Sequence, residues 1–209
     1  MKILKETAEI LIVDKPSGWL TTPARLPGDP RPVLGRELQT RLGVQIFPVH
    51  RLDCEVSGLT VFAKTPAAHR QAQAWFEYAK IDKLYEAFSR PGPEEPREWA
   101  EWHSKLVRGK RRTFAAPHGQ AALTRARVVG AENGFWRWEL MPITGRPHQL
   151  RVEMAAHGCP IAGDTLYGGE DLGRPAWIAL RAVQLSWARI PQAERLGLPE
   201  TVATSALSL

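Results

Sequence analysis

Apolar and polar positions alternate along the chain in short runs that predict more strands than helices. Residues 9–15 are apolar at their centre and precede Pro16 and Gly18, which predicts a buried strand that ends there. An Asn-Gly pair at positions 133 and 134 separates two further runs and is a strong hairpin signal. The same patterns predict strands at residues 58–63, 83–89, 126–130, 135–141 and, as a strand pair or one long bent strand, 177–187.

Three segments have patterns typical of helices. Leu34, Leu38 and Leu42 recur at every fourth position ahead of a glycine, which predicts a short amphipathic helix. Thr65 followed by a proline predicts the N-cap and first residue of a helix that reaches about residue 78. A third helix is predicted over residues 148–157, where Gly158 ends it.

These elements predict an α+β fold with a mixed, largely antiparallel sheet flanked by helices and loops, since hairpins are evident and no βαβ rhythm occurs. The polar stretch 94–119 predicts strands joined by a mobile basic loop. No repeat or linker divides the chain, so we predict a single domain over residues 1–209. Its core spans about residues 9–190, and the segment after Gln192 is expected to be weakly tethered.

The composition is that of a globular protein with an excess of arginine. The 209 residues are 44% hydrophobic and 24% charged, which excludes a disordered, collagen-like or coiled-coil chain. Lys and Arg number 28 against 22 Asp and Glu, and 20 of the 28 are Arg. Guanidinium groups bind phosphate through a planar fork and stack on bases, so this excess favours a nucleic-acid partner. The codon usage of a GC-rich genome would produce the same excess.

Cysteine and histidine usage argues against disulfide or metal chemistry. Cys54 and Cys159 are too few for a disulfide framework and lack the paired spacing of a zinc site. The six histidines include no H-x-x-x-H pair, so no metal site is expected. No uncharged apolar run approaches the roughly 20 residues of a membrane helix. We therefore expect a cytoplasmic protein that has no membrane contact.

The first segment with candidate chemistry is H-R-L-D-C-E-V-S-G-L at residues 50–59, where polar residues lie at a turn before a predicted strand. This position places Asp53 at the rim of a sheet. Arg51 and the Ser-Gly turn favour its ionised form. The alternative role for Asp53 is an Asp turn or a helix cap, and from this segment alone that role is the more frequent one.

A second segment reads T-G-R-P-H-Q-L-R-V-E from Thr144 and continues from Gly158 as G-C-P-I-A-G-D-T-L-Y-G. Together with K-P-S-G at residues 15–18, the two segments resemble the RluA-type family of RNA pseudouridine synthases. The family's catalytic loop reads H-R-L-D-x-x-T-S-G, and its later signature reads T-G-R-x-H-Q-I/L-R followed by G-x-P-I-x-G-D-x-x-Y-G. The matching stretches extend from about residue 10 to residue 185, nearly the whole chain.

The resemblance implies an isomerase that converts specific uridines in structured RNA, ribosomal or transfer, to pseudouridine without cofactor or metal. Asp53 corresponds to the family nucleophile. The N1–C1′ bond breaks, the uracil turns within the site, and C5 bonds to C1′. The carboxylate either adds to C1′ or assists formation of a glycal, and the sequence is compatible with both routes. Because water at the intermediate would leave an abasic site, the resemblance also implies that water is excluded.

Three further residues match family positions at the reacting groups. Arg151 closes T-G-R-x-H-Q-L-R and corresponds to the partner of the catalytic carboxylate; phosphate binding or a solvated helix face is its alternative role. Tyr85 belongs to the K-x-Y element, which implies contact with the target base and help in removing the C5 proton. Its alternative role is a core strand aromatic. Arg51 corresponds to a residue that occupies or braces the space left by the flipped base, and its alternative is a structural salt bridge.

RNA recognition is expected from the catalytic domain itself. Many relatives carry an N-terminal S4-type RNA-binding domain, whereas about nine residues precede the first predicted core strand here, so we predict a stand-alone catalytic domain. We also expect a monomer. The loop from Arg25 to Arg41 is one candidate for phosphate contacts, with a solvated loop as the alternative. The other candidate substrate-binding residues are His50, Arg146, His148, Gln149, Arg108, Lys110, Arg111 and Arg112.

Four positions depart from the family pattern. Val56 and Pro147 stand where the family commonly has Thr, and Glu153 and Arg181 stand where it often has His. These departures motivate an alternative hypothesis, an RNA-binding or chaperone protein on the same fold with secondary or lost catalysis. A sugar-processing hydrolase would require a second carboxyl group from Glu153 or Asp164, and Asp164 lies in a G-D-x-x-Y-G turn that looks structural.

Overall fold

A computed structural model describes residues 1–24 and 28–209 of the chain. The residue contacts divide into two compact units. The first unit comprises residues 1–82 and 182–205, and the second comprises residues 83–181 and 206–209. Because the chain passes between the units more than once, neither is one continuous stretch. The single-domain organisation stays a prediction.

The secondary structure is α+β, as predicted, with more strand than helix. The strands are β1 (Lys2–Glu6), β2 (Ile10–Lys15), β3 (Phe47–Pro48), β4 (Ser57–Ala63), β5 (Asp82–Ser89), β6 (Ala100–Arg108), β7 (Thr113–Ala115), β8 (Gln120–Glu132), β9 (Phe135–Pro142), β10 (Leu180–Ser186) and β11 (Thr201–Ala203). The helices are α1 (Leu34–Leu42), α2 (Pro66–Glu77) and α3 (Gln149–Ala156), with 3₁₀ turns at Thr165–Tyr167 and Gln192–Glu194.

In the first unit the strand order is β1-β2-β4-β10, with β3 added to β4 and β11 added to β10. The β1–β2, β2–β4, β3–β4 and β10–β11 ladders are antiparallel. Strand β4 is buried along its whole length, and its Phe62 packs with Leu11 and Val13 of β2. Leu34 and Leu38 of α1 join this cluster, as the leucine spacing predicts. The core of the unit therefore lies directly beneath the strand that follows Asp53.

Both helices of the first unit begin and end where the sequence predicts. Helix α1 ends at Gly43, which adopts a left-handed φ of 67° while its N–H bonds the carbonyl of Gln39. Helix α2 begins with Thr65 as N-cap, whose hydroxyl accepts the N–H of Ala68 at 3.1 Å, and has a proline in its first turn. These capping contacts confirm the predicted helix boundaries within one or two residues.

In the second unit the strand order is β5-β9-β8-β6-β7, and all four ladders are antiparallel. The predicted hairpin is β8–β9, whose turn residues Asn133 and Gly134 have φ of 52° and 77°. Both angles are left-handed, as the tight hairpin turn that Asn-Gly favours requires. Strand β8 begins at Gln120, earlier than the predicted residue 126, because Ala122 and Thr124 also point inward.

The segment after Gln192 is paired and packed, contrary to the expectation of a weakly tethered tail. Strand β11 pairs with β10, and Leu198, Val202 and Leu207 are buried. The N–H of Leu207 also donates to the Glu86 carboxylate at 2.7 Å. A strand of three residues has too few alternating positions to be recognised from the sequence, and for that reason the prediction failed. The predicted strand at 177–187 is one strand, β10.

Lys15, the last residue of β2, fixes the turn that follows it to the loop that carries Asp53. Its side chain is 0% exposed, and Nζ donates to the carbonyls of Pro16 at 3.0 Å, Trp19 at 2.7 Å and Cys54 at 3.0 Å. An ammonium group has three hydrogens, and each has an acceptor here. The K-P-S-G turn and the residue after Asp53 are therefore held by one buried cation.

Two further contacts fix the ends of the same loop. The Thr21 hydroxyl accepts the N–H of Leu52 and donates to its carbonyl, both at 3.2 Å. Gly58 has a φ of 112°, and a Cβ built there would lie 2.2 Å from the carbonyl oxygen of Ala182. Only glycine permits this approach of β4 to β10, which explains the glycine of the S-G pair.

Burial lowers the pKa of Lys15 to about 8 from 10.5, although Cys54, Glu55 and Asp53 oppose the shift. Between these two pH values the unfolded chain binds more protons than the folded chain, so the unfolding free energy rises with pH, by up to about 1.4 kcal/mol per pH unit. This contribution is lost as the pH falls through 8. We predict that the difference in unfolding free energy between wild type and Lys15→Met increases from pH 8 to pH 10, as measured by urea denaturation.

Lys105→Met, at an exposed lysine, is the matched control and is expected to show no such increase. A wild-type to Lys15→Met difference that stays constant or declines over the same pH range would contradict the prediction.

Candidate active site

In the first unit, Asp53 lies half-buried in the loop that leads into β4. The loop turns through its main chain, where the N–H of Val56 donates to the Asp53 carbonyl at 3.3 Å. Val56 itself is buried at 3% exposure. Because this turn uses only the backbone of Val56, it does not require the threonine hydroxyl that the family usually has at that position.

His50 anchors the start of the same loop. Its Nε2 accepts the N–H of Val61 at 3.1 Å, and its ring stacks on Phe76 of α2 with centroids 4.4 Å apart. A nitrogen that accepts a hydrogen bond carries no proton, so this contact assigns the proton of the neutral ring to Nδ1. These contacts give His50 a structural role, and its contact with RNA stays a prediction.

Arg51 is exposed and forms no ion pair with any residue in the described part of the chain. The alternative role of Arg51, a structural salt bridge, therefore lacks a partner residue in this part of the chain. An exposed guanidinium two residues before Asp53 is accessible to RNA.

In the second unit, Arg151 is buried on α3 and bound to Asp164. Its Nε and Nη2 donate to the two carboxylate oxygens at 2.6 and 2.8 Å, and the two side chains are 4% and 1% exposed. The guanidinium carbon also lies 5.3 Å from the centre of the Tyr167 ring. The solvated helix face proposed as an alternative for Arg151 is wrong because the residue is buried. Asp164 is the buried ion-pair partner of Arg151, which agrees with the structural role that its G-D-x-x-Y-G turn indicated.

Gln149 is a structural residue, which corrects its predicted role in substrate binding. Its Oε1 accepts from the Thr144 hydroxyl at 2.7 Å and from the N–H of Arg146 at 3.0 Å. Its Nε2 donates to the Leu123 carbonyl at 3.0 Å and to the Thr124 hydroxyl at 2.9 Å. All four hydrogen-bonding positions of the amide are occupied by the protein, so none is left for RNA.

His148 connects the two later motifs to the basic strand β6. Its Nδ1 lies 3.0 Å from the Tyr167 hydroxyl, and its Nε2 lies 3.2 Å from Nη1 of Arg108. The Tyr167 hydroxyl accepts the N–H of Thr113 at 2.9 Å and donates to its carbonyl at 3.1 Å. Since the hydroxyl hydrogen is used on Thr113, His148 donates from Nδ1 and accepts from Arg108 at Nε2. The neutral ring therefore orients the Arg108 guanidinium.

Tyr85 lies half-buried on β5, in register with Leu140 of β9. Two residues earlier, Lys83 donates to the Thr144 carbonyl at 3.3 Å. The lysine of the K-x-Y element thus ties β5 to the T-G-R turn, a contact the sequence analysis did not predict. The contact of Tyr85 with the target base stays a prediction.

Glu153 holds α3 to β6. One carboxylate oxygen accepts from the Ser104 hydroxyl at 2.7 Å, and the residue is 2% exposed. Burial raises the pKa of this carboxyl, and the hydrogen bond from Ser104 opposes the shift. The departure from the family pattern at this position therefore serves packing between a helix and a strand.

The predicted basic segments differ in their surroundings. Lys110, Arg111 and Arg112 are exposed at the β6–β7 turn. Arg25 lies outside the described residues, and Arg31, in the same predicted loop, is paired with Asp29.

Neither a membrane-spanning helix nor a metal-binding group was found among the described residues. None of their helices is both long and apolar enough to cross a membrane. Nor do any three His, Cys, Asp or Glu side chains in this part of the chain come together as a group that could hold a metal ion.

The structural roles of two residues were missed because their signals are weak in a sequence. Lys15 ends a buried apolar strand ahead of a Pro-x-Gly turn, and that position was the signal for a buried lysine. Tyr167 stands in the G-D-x-x-Y-G turn without an evident role, and only its three-dimensional contact with His148 gives it one.

Comparison with known proteins agrees with the motifs. The sequence model of the RNA pseudouridylate synthase family matches residues 9–156. The chain is 34% identical over 196 residues to the dual-specificity RNA pseudouridine synthase RluA of Vibrio vulnificus, covering 89% of this chain and 77% of that protein. It is 37% identical over 172 residues to the protein of the same name from Escherichia coli K12, covering 81% and 78%.

Solved structures support the same fold. Human RNA pseudouridylate synthase domain containing 1 superposes with a TM-score of 0.76 at 24% identity, covering 99% of this chain and 83% of that one. Human RNA pseudouridylate synthase domain containing 4 gives a TM-score of 0.68, also at 24% identity, covering 88% and 82%. Because the family model and the RluA sequences align with most of its length, the chain belongs to the RNA pseudouridylate synthase family.

Proposed function

We propose that the protein isomerises one or a few uridines of ribosomal or transfer RNA to pseudouridine, with Asp53 as the nucleophile. The observation that carries the proposal is that several contacts hold the H-R-L-D loop in one position. Lys15 and Thr21 bind its backbone, and His50 is anchored on β4 and α2. A nucleophile must be held within a fraction of an ångström of its productive position, and bonds to the backbone on both sides of Asp53 support such preorganisation.

The reaction conserves all atoms and needs one carboxylate. On the nucleophilic route the Asp53 carboxylate bonds to C1′ as the N1–C1′ bond breaks, and the electron pair of that bond leaves on the uracil ring. After the ring turns, C5 attacks C1′ and displaces the carboxylate; the C5 proton is then lost and N1 gains a proton. On the glycal route the carboxylate instead takes the C2′ proton as the N1–C1′ bond breaks, which leaves a C1′=C2′ double bond, and it returns that proton to C2′ when C5 bonds to C1′. Both routes regenerate Asp53.

The surroundings of the two other candidate carboxyl groups favour isomerisation over glycoside hydrolysis. A hydrolase uses a second carboxylic acid to protonate a poor leaving group, whereas uracil leaves as a delocalised anion. Asp164 is bound on both oxygens by Arg151, and Glu153 accepts from Ser104. Both groups are engaged within the protein, which leaves Asp53 as the carboxylate proposed for the chemistry.

Tyr85 and Arg151 are the other two proposed catalytic residues, and both are assigned from the motifs. Tyr85 is proposed to lie against the target base, where an aromatic stack contributes on the order of 1–3 kcal/mol and offsets much of the free energy of flipping the base. Arg151 is proposed to pair with the catalytic carboxylate. Its guanidinium keeps its charge at all working pH values and is held in one orientation by Asp164. It would therefore stabilise an ionised partner without acting as an acid.

The RNA targets and the cellular setting belong to the same proposal. The bacterial relatives carry the name dual-specificity synthase, which favours more than one target RNA for this chain as well. Ribosomal and transfer RNA are the proposed targets, so the proposed location is the cytoplasm. The proposed active form is a monomer.

We predict that Asp53→Asn abolishes tritium release from RNA that contains C5-tritiated uridine. Loss of the nucleophile is expected to slow release by about 10⁴-fold or more, because the amide neither adds to C1′ nor assists glycal formation. Affinity for the RNA, measured in parallel by filter binding, is expected to stay close to that of wild type.

Asp171→Asn is the matched control, since Asp171 is an exposed aspartate whose carboxylate bonds within its own turn. It should release tritium at the wild-type rate. Substantial turnover by Asp53→Asn would refute the nucleophile assignment.

We further predict that Asp164→Asn lowers the unfolding free energy by about 3–5 kcal/mol, because it removes the charge of the buried carboxylate that bonds Nε and Nη2 of the buried Arg151 guanidinium. The measurement is urea denaturation, again with Asp171→Asn as the control. Full stability of Asp164→Asn would contradict the prediction, because the buried carboxylate would then not be needed to balance Arg151.

A further inference from the structure

A groove in the second unit runs between β6, β7, the start of β8 and the T-G-R-P turn. We call it the basic groove. None of the residues that line it is acidic. Its polar and cationic lining includes Arg108, Thr113, His118, Gln120 and Arg146.

The arginines of the basic groove differ in their partners from five other arginines of the same unit. Those five are each paired with a glutamate, in the pairs Arg90–Glu170, Arg97–Glu95, Arg125–Glu101, Arg127–Glu139 and Arg137–Glu86. In the groove, by contrast, Arg108 bonds the neutral His148 ring, and Arg146 donates through Nε to the Ala121 carbonyl at 2.9 Å. Neither guanidinium is paired with a carboxylate of the described residues, so each keeps its positive charge available for a ligand.

The Arg108 guanidinium is also held in place. The chain of hydrogen bonds runs from the Thr113 backbone to the Tyr167 hydroxyl, then to His148 and finally to Nη1 of Arg108. The first members of this chain are fixed to the sheet through the β7 backbone. A side chain whose orientation is set before binding loses less conformational entropy when it binds a ligand.

The cations continue beyond the groove along the β6–β7 turn. Lys110, Arg111 and Arg112 are exposed there, and the turn is closed by the Gly109 N–H on the Arg112 carbonyl at 3.0 Å. A row of charges of one sign fits a polyanion that passes along it better than a single small anion. Guanidinium groups match the geometry of phosphate oxygens in particular.

We propose that the basic groove and the adjoining turn bind successive backbone phosphates of the substrate RNA. In this arrangement Arg108 and Arg146 contact phosphate, while His148 and Tyr167 act as positioning residues for Arg108. The inference rests on the proposed function, since it takes the RNA substrate from it. It assigns the groove to backbone contacts that orient the RNA, and target choice is left to other parts of the chain.

The first test measures how RNA binding depends on salt. The probe is a fluorescein-labelled, unmodified transfer RNA transcript, and its affinity is followed by anisotropy as the KCl concentration is varied. Arg108→Gln and Arg146→Gln are each expected to weaken binding roughly 3- to 10-fold and to reduce the slope of log K against log[KCl] by about 0.7–0.9, the change for one lost phosphate contact. Because the backbone contribution is independent of sequence, the probe need not contain the target uridine.

Arg125→Gln is the matched control, since it removes the same charge from an exposed arginine of the same unit that is already paired with Glu101. Its slope is expected to stay at the wild-type value. Equal changes in all three variants, or no change in the two groove variants, would overturn the proposal, because the effect would then reflect net charge alone or be absent.

The second test separates positioning from structural support. Tyr167→Phe removes the hydroxyl that holds His148 and is expected to weaken RNA binding in the wild-type background but to add nothing in the Arg108→Gln background. Arg108→Lys keeps the charge and is expected to retain most of the salt slope. An equal effect of Tyr167→Phe in both backgrounds would contradict the positioning role.

The outcomes for the groove and for the proposed function can be told apart. If the wild-type chain releases no tritium from any cellular RNA, the proposed function fails whatever the salt slopes are. If release is normal and Arg108→Gln has the salt slope of Arg125→Gln, only the assignment of the groove is wrong.

Discussion

A charged amine buried under an apolar strand is unfavourable unless every one of its hydrogens has an acceptor. Lys15 meets this condition with three carbonyls, two from the turn that follows β2 and one from Cys54 beside the proposed nucleophile. The two segments are 39 positions apart at the Cys54 contact, yet neither can move without exposing or orphaning the ammonium. The lowered pKa of Lys15 reflects the same burial. In this account, that interaction fixes the backbone on one side of Asp53, and Thr21 fixes it on the other side through Leu52.

The second unit uses its motif residues in a similar way. Most polar side chains of T-G-R-P-H-Q-L-R bind other parts of the protein: Gln149 holds the turn, Arg151 holds Asp164, and His148 holds Arg108. Such buried networks are stable only when all of their members are satisfied. A motif in which most polar side chains bind the protein mainly specifies a rigid scaffold. The cations proposed to bind RNA lie beside this scaffold, in the basic groove and along the β6–β7 turn.

Much of the fold could be predicted because local signals agreed with the tertiary structure. Thr65 caps its helix and Asn133-Gly134 makes its hairpin turn through short-range geometry that the residue types themselves favour. The pairing of β11 and the role of Gln149 depend on residues distant in the sequence, and the pattern around each of them carries no sign of those partners. Asp53 and the other proposed site residues came from the motifs rather than from periodicity, and charge pairing around the groove became visible only in three dimensions.

The central claim is that this chain converts uridine to pseudouridine in cellular RNA through Asp53. It is tested most directly by mapping pseudouridine across total RNA from cells that contain the protein, lack it, or contain only Asp53→Asn. The account predicts that one or a few positions in ribosomal or transfer RNA lose the modification when the protein is absent. Wild type should restore these positions, and Asp53→Asn should not. Identical maps with and without the protein, or full restoration by Asp53→Asn, would contradict the account.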